Sequence, residues 1–352
     1  MGAQTSTLCN ADYRVPDLPD VERTMMLAKR EELSKWLEQS NLYDDKGHLK
    51  RNIQIITFDD GSIYKGEIIN GSKNGLGVFY FTNQDIYAGQ WRNDKFNGYG
   101  VYAFANGERY EGELRDGLKH GRGTYFYLNG DRYEGDWSHD VREGVGLCIY
   151  SNQEKYHGEW QNGDKNGRGA YSFANGDKYF GEWRNSRRSG QGVMIHLDGC
   201  RFEGEWQNDQ YHGEGTMHYC NGEINTGTWA FGKQTGEGTC EFPNGDRYVG
   251  QFKDNKLYGI GTMYYEDGDK YTGEWIEGEK NGKGIMEFIN GDIFDGYWRH
   301  GKRDGKGIYM WNDGRRYEGD WEDDKMRGRG ILTLPNGTRV DGYFKGTDFI
   351  EK

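Results

Sequence analysis

A 23-residue period, kept without insertion or deletion over most of the chain, is the feature that most limits what this sequence can fold into. Aligned on one anchor position, the copies begin at Tyr64, Tyr87, Tyr110, Tyr133, Tyr156, Tyr179, Phe202, Asn225, Tyr248, Tyr271, Phe294, Tyr317 and Val340, twelve equal steps. Two residues past every anchor stands a glycine, from Gly66 to Gly342. Eleven and thirteen past stand two more, from Gly75 and Gly77 to Gly328 and Gly330. Four past, nine copies carry Trp, and Ile68, Leu114, Phe252 and Phe344 fill the rest. A period of this size marks a repeat architecture, in which each copy is one small unit that buries its apolar face only against its neighbours.

Within a copy the pattern is that of a β-hairpin. In "YEGDW" (Tyr133–Trp137) the Tyr, Gly and Trp alternate with polar residues, so they share one face of a short strand. The bare glycine lets aromatic rings cross the backbone. A second strand follows the Gly-x-Gly pair, as in "GTYFYLNG" from Gly123. The Asn-Gly and Asp-Gly dipeptides ahead of the next anchor supply the positive-φ residues of tight hairpin turns. Residues 53–58 read as a second-type strand before the first anchor and residues 340–345 as a first-type strand after the last. The expected fold is therefore all-β: an elongated single antiparallel meander of about 13 stacked hairpin repeats forming a twisted rod, with a short N-terminal α-helical segment. At about 4.8 Å between strands, 26 of them span roughly 120 Å.

Composition narrows the function. The chain holds 57 Gly with 26 Tyr and 11 Trp, which excludes a disordered linker, since linkers are poor in aromatics. A net charge of −12 argues against non-specific nucleic-acid binding, which needs a basic surface. Cys9, Cys148, Cys200, Cys220 and Cys240 form no CxxC pair and no zinc-site spacing, and read as reduced intracellular thiols. The eight histidines share no HExxH spacing, and no GxxxxGK[ST] loop is present. No enzyme, metal or cofactor is expected. A basic residue usually precedes the anchor (Arg109, Arg132, Lys155) and an acidic one usually sits three past it (Glu113, Asp136, Glu159). The simplest account of these two columns is a solvated face.

The phrases "YEGDW…GVG", "YHGEW…NGRG" and "YTGEW…NGKG" resemble MORN (membrane occupation and recognition nexus) repeats, over residues 54–345. The resemblance implies hairpin stacks with a groove that holds a partner segment, and we assign its lining to Tyr110, Tyr133, Trp137, Tyr156, Trp160, Tyr179, Trp183 and Trp206. One copy departs from the pattern, with Asn225 where the aromatic belongs.

Residues 1–52 lie outside the repeat. "MGAQTS" places Gly2 and Ser6 at the spacing of an N-myristoylation signal, and one such chain holds a membrane only marginally. Cys9 is the natural second acylation site. Residues 20–39 read as a partly amphipathic helix, with Asp20 as N-cap and Met26, Leu33, Trp36 and Leu37 on its apolar stripe. The domains are then residues 1–52 (acylation signal and helix), 53–345 (array) and 346–352 (tail). The last array strand offers an unpaired edge with Val340, Tyr343, Phe344 and Phe349, suited to a two-fold, end-to-end homodimer. These readings converge on a non-catalytic scaffold, tethered by N-terminal acyl chains to the cytoplasmic face of a membrane, recruiting protein partners at a membrane–cytoskeleton boundary. Two alternatives are open: phospholipid binding by the repeats themselves, and an axonemal component resembling radial-spoke MORN proteins.

Overall fold

The computed structural model describes Lys46 and residues 53–350. Gly2, Cys9 and the expected helix of residues 20–39 lie outside the described residues. The chain forms two compact units, Met1–Leu128 and Asn129–Lys352. Every element among the described residues is a strand, 27 in all, and within each unit successive strands pair antiparallel as a meander.

Seven-residue strands that carry the anchor alternate with nine-residue strands that carry the Gly-x-Gly pair, as in Lys155–Gln161 and Asp164–Ser172. The two glycine rows coincide in register. In the second unit Gly146 pairs with Gly158, Gly158 with Gly169, and Gly169 with Gly181. In the first unit Gly66, Gly77, Gly89 and Gly100 do the same. Each meander thus carries a strip of bare backbone across its strands. The anchor ring lies on that strip. A Cβ added at Gly158 would stand 2.5 Å from the Gly169 Cα, and one added at Gly169 would stand 2.5 Å from the Tyr156 ring. Nothing larger than glycine fits beneath the tyrosine.

The anchor rings are fully buried, and the tryptophans four residues on wedge between them. Trp160 meets Tyr156 and the preceding anchor Tyr133 edge-on, both at 5.2 Å between centroids. Edge-to-face pairs add roughly 0.5–1.5 kcal/mol each beyond area burial, and here they recur copy after copy. The polar ends are satisfied too: the Tyr156 hydroxyl donates to the Glu159 carbonyl (2.9 Å) and Trp160 Nε1 to the Gly146 carbonyl (3.2 Å). A one-layer sheet has no second layer to bury its face against, and these stacked rings stand in for one.

The turns differ from the sequence reading in one respect. The Asn-Gly turns before the anchors place only the glycine at positive φ, as at Gly176 (φ 92°). The two-residue turns lie at the other end of the hairpin, six and seven residues past the anchor, where Asn162 and Gly163 take φ 51° and 84°. Both residues of a type I′ turn need positive φ, which explains Asn, Asp and Gly there. Next to this turn the first glycine of the Gly-x-Gly pair, Gly167, takes φ 80° in a bulge opposite Glu159.

The chain's C-terminal edge also departs from expectation. Asp348–Ile350 forms an extra strand on Arg339–Lys345, pairing Phe344 with Phe349. Val340 is too short to cover the glycine strip, and the Phe349 ring takes that place over Gly342.

A candidate partner-binding groove

The eight aromatics assigned above to a groove do not line one. Tyr110, Tyr133, Tyr156 and Tyr179 are at most 1% exposed, and Trp137, Trp160, Trp183 and Trp206 at most 5%. They are the core. Even their open side is closed, because a cation nine residues past the anchor lies across the rings. Lys165 Nζ sits 4.6 Å from the Trp183 and Tyr171 centroids and 5.5 Å from Tyr156. Arg142, Arg188, Lys280 and Arg303 repeat this. Burial holds the Lys165 and Lys280 ammonium groups below their usual pKa. The residues nine past the anchor escaped the sequence reading, although a Lys or Arg in most copies, amid so many rings, was a visible signal.

The outer columns turn out to be structural. The acidic residue three past the anchor reaches over the bulge and accepts a backbone N–H: Glu159 Oε1 from Arg168 N (3.1 Å), Asp136 Oδ2 from Val145 N (3.0 Å), Glu274 Oε1 from Lys283 N (3.0 Å). The basic residue before the anchor pairs instead with the residue one past it, as Arg109 with Glu111 (2.8 Å) and Arg316 with Glu318 (2.7 Å). A third, largely acidic column, two before the anchor, ties one turn to the next in most copies. Asp177 Oδ1 accepts from Leu197 N (3.0 Å), and Asp292 Oδ1 from Asn312 N (2.9 Å). Hydrogen bonding from Tyr125 and Tyr171 holds Glu108 and Glu154 of this column below the usual carboxylate pKa.

An open groove lies on the other face, in the second unit. Its floor is the backbone of Gly296, Gly307, Gly319 and Gly330. Lys283, Tyr297, Lys306, Asp320 and Arg329 form one wall, and Asp295, Ile308, Glu318, Ile331 and Asp341 the other. In the anchor strands they stand one or three residues past the anchor, and in the other strands twelve or fourteen past it, each next to a floor glycine or its neighbour, so the pleat turns them away from the ring ladder. The groove encloses about 490 Å³. Lys306 pairs with Asp320 (3.0 Å) along one wall and Arg329 with Asp341 (3.5 Å) from wall to wall, while Tyr297 is half-exposed.

Of the proposed dimer edge, Phe344 is buried against Tyr317 (5.0 Å) and Phe349 (5.5 Å), while Tyr343 and Phe349 keep about half their surface. Val340 is half-buried. The unpaired backbone on which that dimer was reasoned is occupied along Tyr343–Lys345 by residues 348–350.

The divergent copy is filled differently. Asn225 replaces the anchor ring, Cys240 stands where Tyr171 stands in the Tyr156 copy, and Gln234 replaces the stacking cation. Gln234 is fully buried and lays its amide over Gly238, donating to the Thr226 carbonyl (3.3 Å). Asn225 Oδ1 and Gln234 Oε1 are buried without a partner.

A comparison with curated proteins finds none that matches. Among solved structures, the chain is similar to the TCP domain of Drosophila melanogaster SAS-4 in complex with a proline-rich motif of Ana2, at 13% identity over 50% of this chain and 90% of that one, with a TM-score of 0.30. It is likewise similar to the TCP10 domain of Danio rerio CPAP in complex with a STIL peptide, at 14% identity over 70% and 96%, TM-score 0.25. The MORN repeat family model matches twelve consecutive stretches between residues 64 and 339, skipping only Asn225 and Arg316. With its period, glycine strip and ring ladder covered almost end to end by that match, the chain belongs to the MORN repeat family, whose members are generally non-enzymatic and whose repeats suggest protein or membrane binding.

Proposed function

We propose that the array is a protein-binding scaffold that holds an extended segment of a partner along the glycine-floored groove. The observation that carries this reading is the make-up of the walls. Lysine, arginine, aspartate and glutamate alternate with Ile308, Ile331 and Tyr297 over a floor of glycine backbone. Such a surface offers apolar contacts and both signs of charge to a polypeptide. A phospholipid headgroup would call for a basic cluster, and a net charge of −12 opposes approach to an anionic bilayer.

The test is a photo-crosslinking residue placed at Tyr297 or Lys306 in cells, with another at Leu197, a turn residue remote from the groove. The expected result is a defined peptide adduct from the groove positions only. Adducts with phospholipid, or identical adducts from all three sites, would sink it. Liposome sedimentation of full-length, non-acylated protein adds a check, with little binding expected at physiological salt.

The scaffold is proposed to be held at a membrane through Gly2 and Cys9, on the strength of the "MGAQTS" motif and the nearby thiol. Gly2→Ala should release it from the membrane fraction, and mass spectrometry should find a myristoyl group on Gly2. Unmodified Gly2 on membrane-bound protein would remove the tether. A cortical or cytoskeletal address is part of the same proposal.

A further inference from the structure

The carboxylate that ties one turn to the next has a single sulfur replacement. Two residues before the Phe202 anchor stands Cys200, and its Sγ accepts the backbone N–H of Cys220 at 3.0 Å, as Asp177 Oδ1 accepts that of Leu197 at 3.0 Å one copy earlier. The donor residue varies freely among the copies, being Ala105, Ser151 and Ala174 elsewhere. Here it is a second cysteine. Both members of one turn-to-turn tie are therefore thiols, although 20 residues separate them and no sequence spacing reveals the pair.

A third donor completes the group. Asp198 opens the same turn, its Oδ1 accepting from Cys200 N (3.0 Å). One ligand atom from each of Asp198, Cys200 and Cys220 lies within 4.8 Å of the other two. The three sit at the surface, Cys200 half-buried and Asp198 and Cys220 exposed, whereas Cys148 and Cys240 are buried in the core. Two thiols and a carboxylate, converging at an accessible turn, suit a thiophilic divalent cation such as zinc, with water in the fourth position.

We propose that Asp198, Cys200 and Cys220 form a site for a zinc-class cation that clips two neighbouring hairpin turns together. On binding, the two thiols give up their protons to solvent and the thiolates coordinate the ion. The clip would replace, with a stronger and removable bond, the carboxylate tie of the other copies.

The test uses the reduced full-length chain and Zn²⁺ alone, in competition with a chromogenic chelator. Wild type is expected to take up one ion per chain. Cys200→Asp restores the residue other copies carry, and Cys220→Ala gives the residue of Ala105 and Ala174, so both variants keep the fold. Each should weaken binding at least about tenfold, and Asp198→Asn by roughly tenfold. With Cd²⁺ as probe, wild type should show a sulfur-to-metal charge-transfer band that Cys220→Ala loses. Zinc should also protect Cys200 and Cys220, but not Cys9, from alkylation as read by peptide mass spectrometry. Equal uptake by wild type and Cys200→Asp, or a cadmium complex without the thiolate band, would overturn the proposal. So would a reduced chain that takes up no zinc while peroxide joins the two thiols as a disulfide.

Discussion

The copy that begins at Tyr156 and the copy that begins at Asn225 share one backbone plan and fill it in two ways. In the first, a tyrosine ring covers Gly158 and Gly169, Lys165 closes over it, and Tyr171 flanks it. In the second, all three large groups are gone, and a buried Gln234 amide covers Gly238 in place of the ring. The space left over is a cleft lined by Asn225, Cys240, Phe242, Phe252 and Leu257. The backbone also changes, with Gly227 at φ 148°, outside the conformation of the other glycines two past an anchor. The glycine strip is thus required by the pairing of backbones as well as by the ring, while the ring supplies most of the buried surface.

Exchanging the two fillings tests this directly, and the largest effect is expected on the regular side. Tyr156→Asn removes edge contacts with Trp160 and Trp183 and the bond to the Glu159 carbonyl. It should destabilise the surrounding repeats by about 3–5 kcal/mol, the range for losing a buried aromatic. Adding Lys165→Gln should recover about 1 kcal/mol if the new amide covers the glycines as Gln234 does. Native-state hydrogen exchange, resolved by repeat, is the measurement, since long arrays open locally. Loss spread evenly over the chain would contradict a local role.

The reverse exchange should be the second largest. Asn225→Tyr with Gln234→Lys and Cys240→Tyr rebuilds the regular filling and removes two unpartnered oxygens, each costing about 1–3 kcal/mol when buried. The triple variant should gain about 1–3 kcal/mol by the same measurement. No gain would mean that the φ at Gly227 bars a ring from this copy.

The comparison also separates what was legible from what was not. The hairpin unit, the strand count to within one and the shared face of Tyr156, Gly158 and Trp160 follow from spacing, because period-two alternation fixes the face of every strand residue. The side of the groove did not follow. Rows of aromatics suggest a sticky surface, and only the three-dimensional closeness of Trp160 to the previous anchor Tyr133 shows that they fill one another's space. The acidic columns were visible, but the bulge at Gly167 that gives Glu159 a backbone N–H to accept depends on a register shift that no spacing announces. Residues 348–350 were too few to read as a strand. Their pairing is set by the uncovered strip at Gly342.

Alkali should sharpen the contrast more gently. Burial, with Asp320 nearby, pushes the anchor Tyr317 from 10.0 up to about 12, and burial with a bond to Asp292 does the same for Tyr309. The protonated phenol is the form the folded chain favours, so the unfolded chain ionises first. Stability from these groups is whole below pH 10, declines as pH rises from 10 towards 12, and is lost beyond. Urea midpoints followed by circular dichroism should fall over that window. Tyr317→Phe, the side chain that Phe202 and Phe294 already use, should lose about 1 kcal/mol at neutral pH and flatten the decline. A midpoint as steep in the variant as in wild type would show that Tyr317 does not contribute.

The smallest effect concerns the acid over the bulge. Glu159 accepts the Arg168 N–H, whereas Thr228, its counterpart in the divergent copy, turns its hydroxyl to Glu214 (2.9 Å) and leaves 3.8 Å to the position a Cβ would take at Gly236. Both sites are on the exposed face, so the exchange leaves the ring ladder untouched. Glu159→Thr should cost about 0.5–1.5 kcal/mol, the net worth of one hydrogen bond, and Thr228→Glu should gain at most the same. Exchange rates of the Arg168 and Glu237 amides report the two sites separately. If Thr228→Glu protects the Glu237 amide while Glu159→Thr exposes that of Arg168, the column is a set of independent clips. If protection moves at neither site, the carboxylates only decorate a bulge that Gly167 and Gly236 hold by themselves.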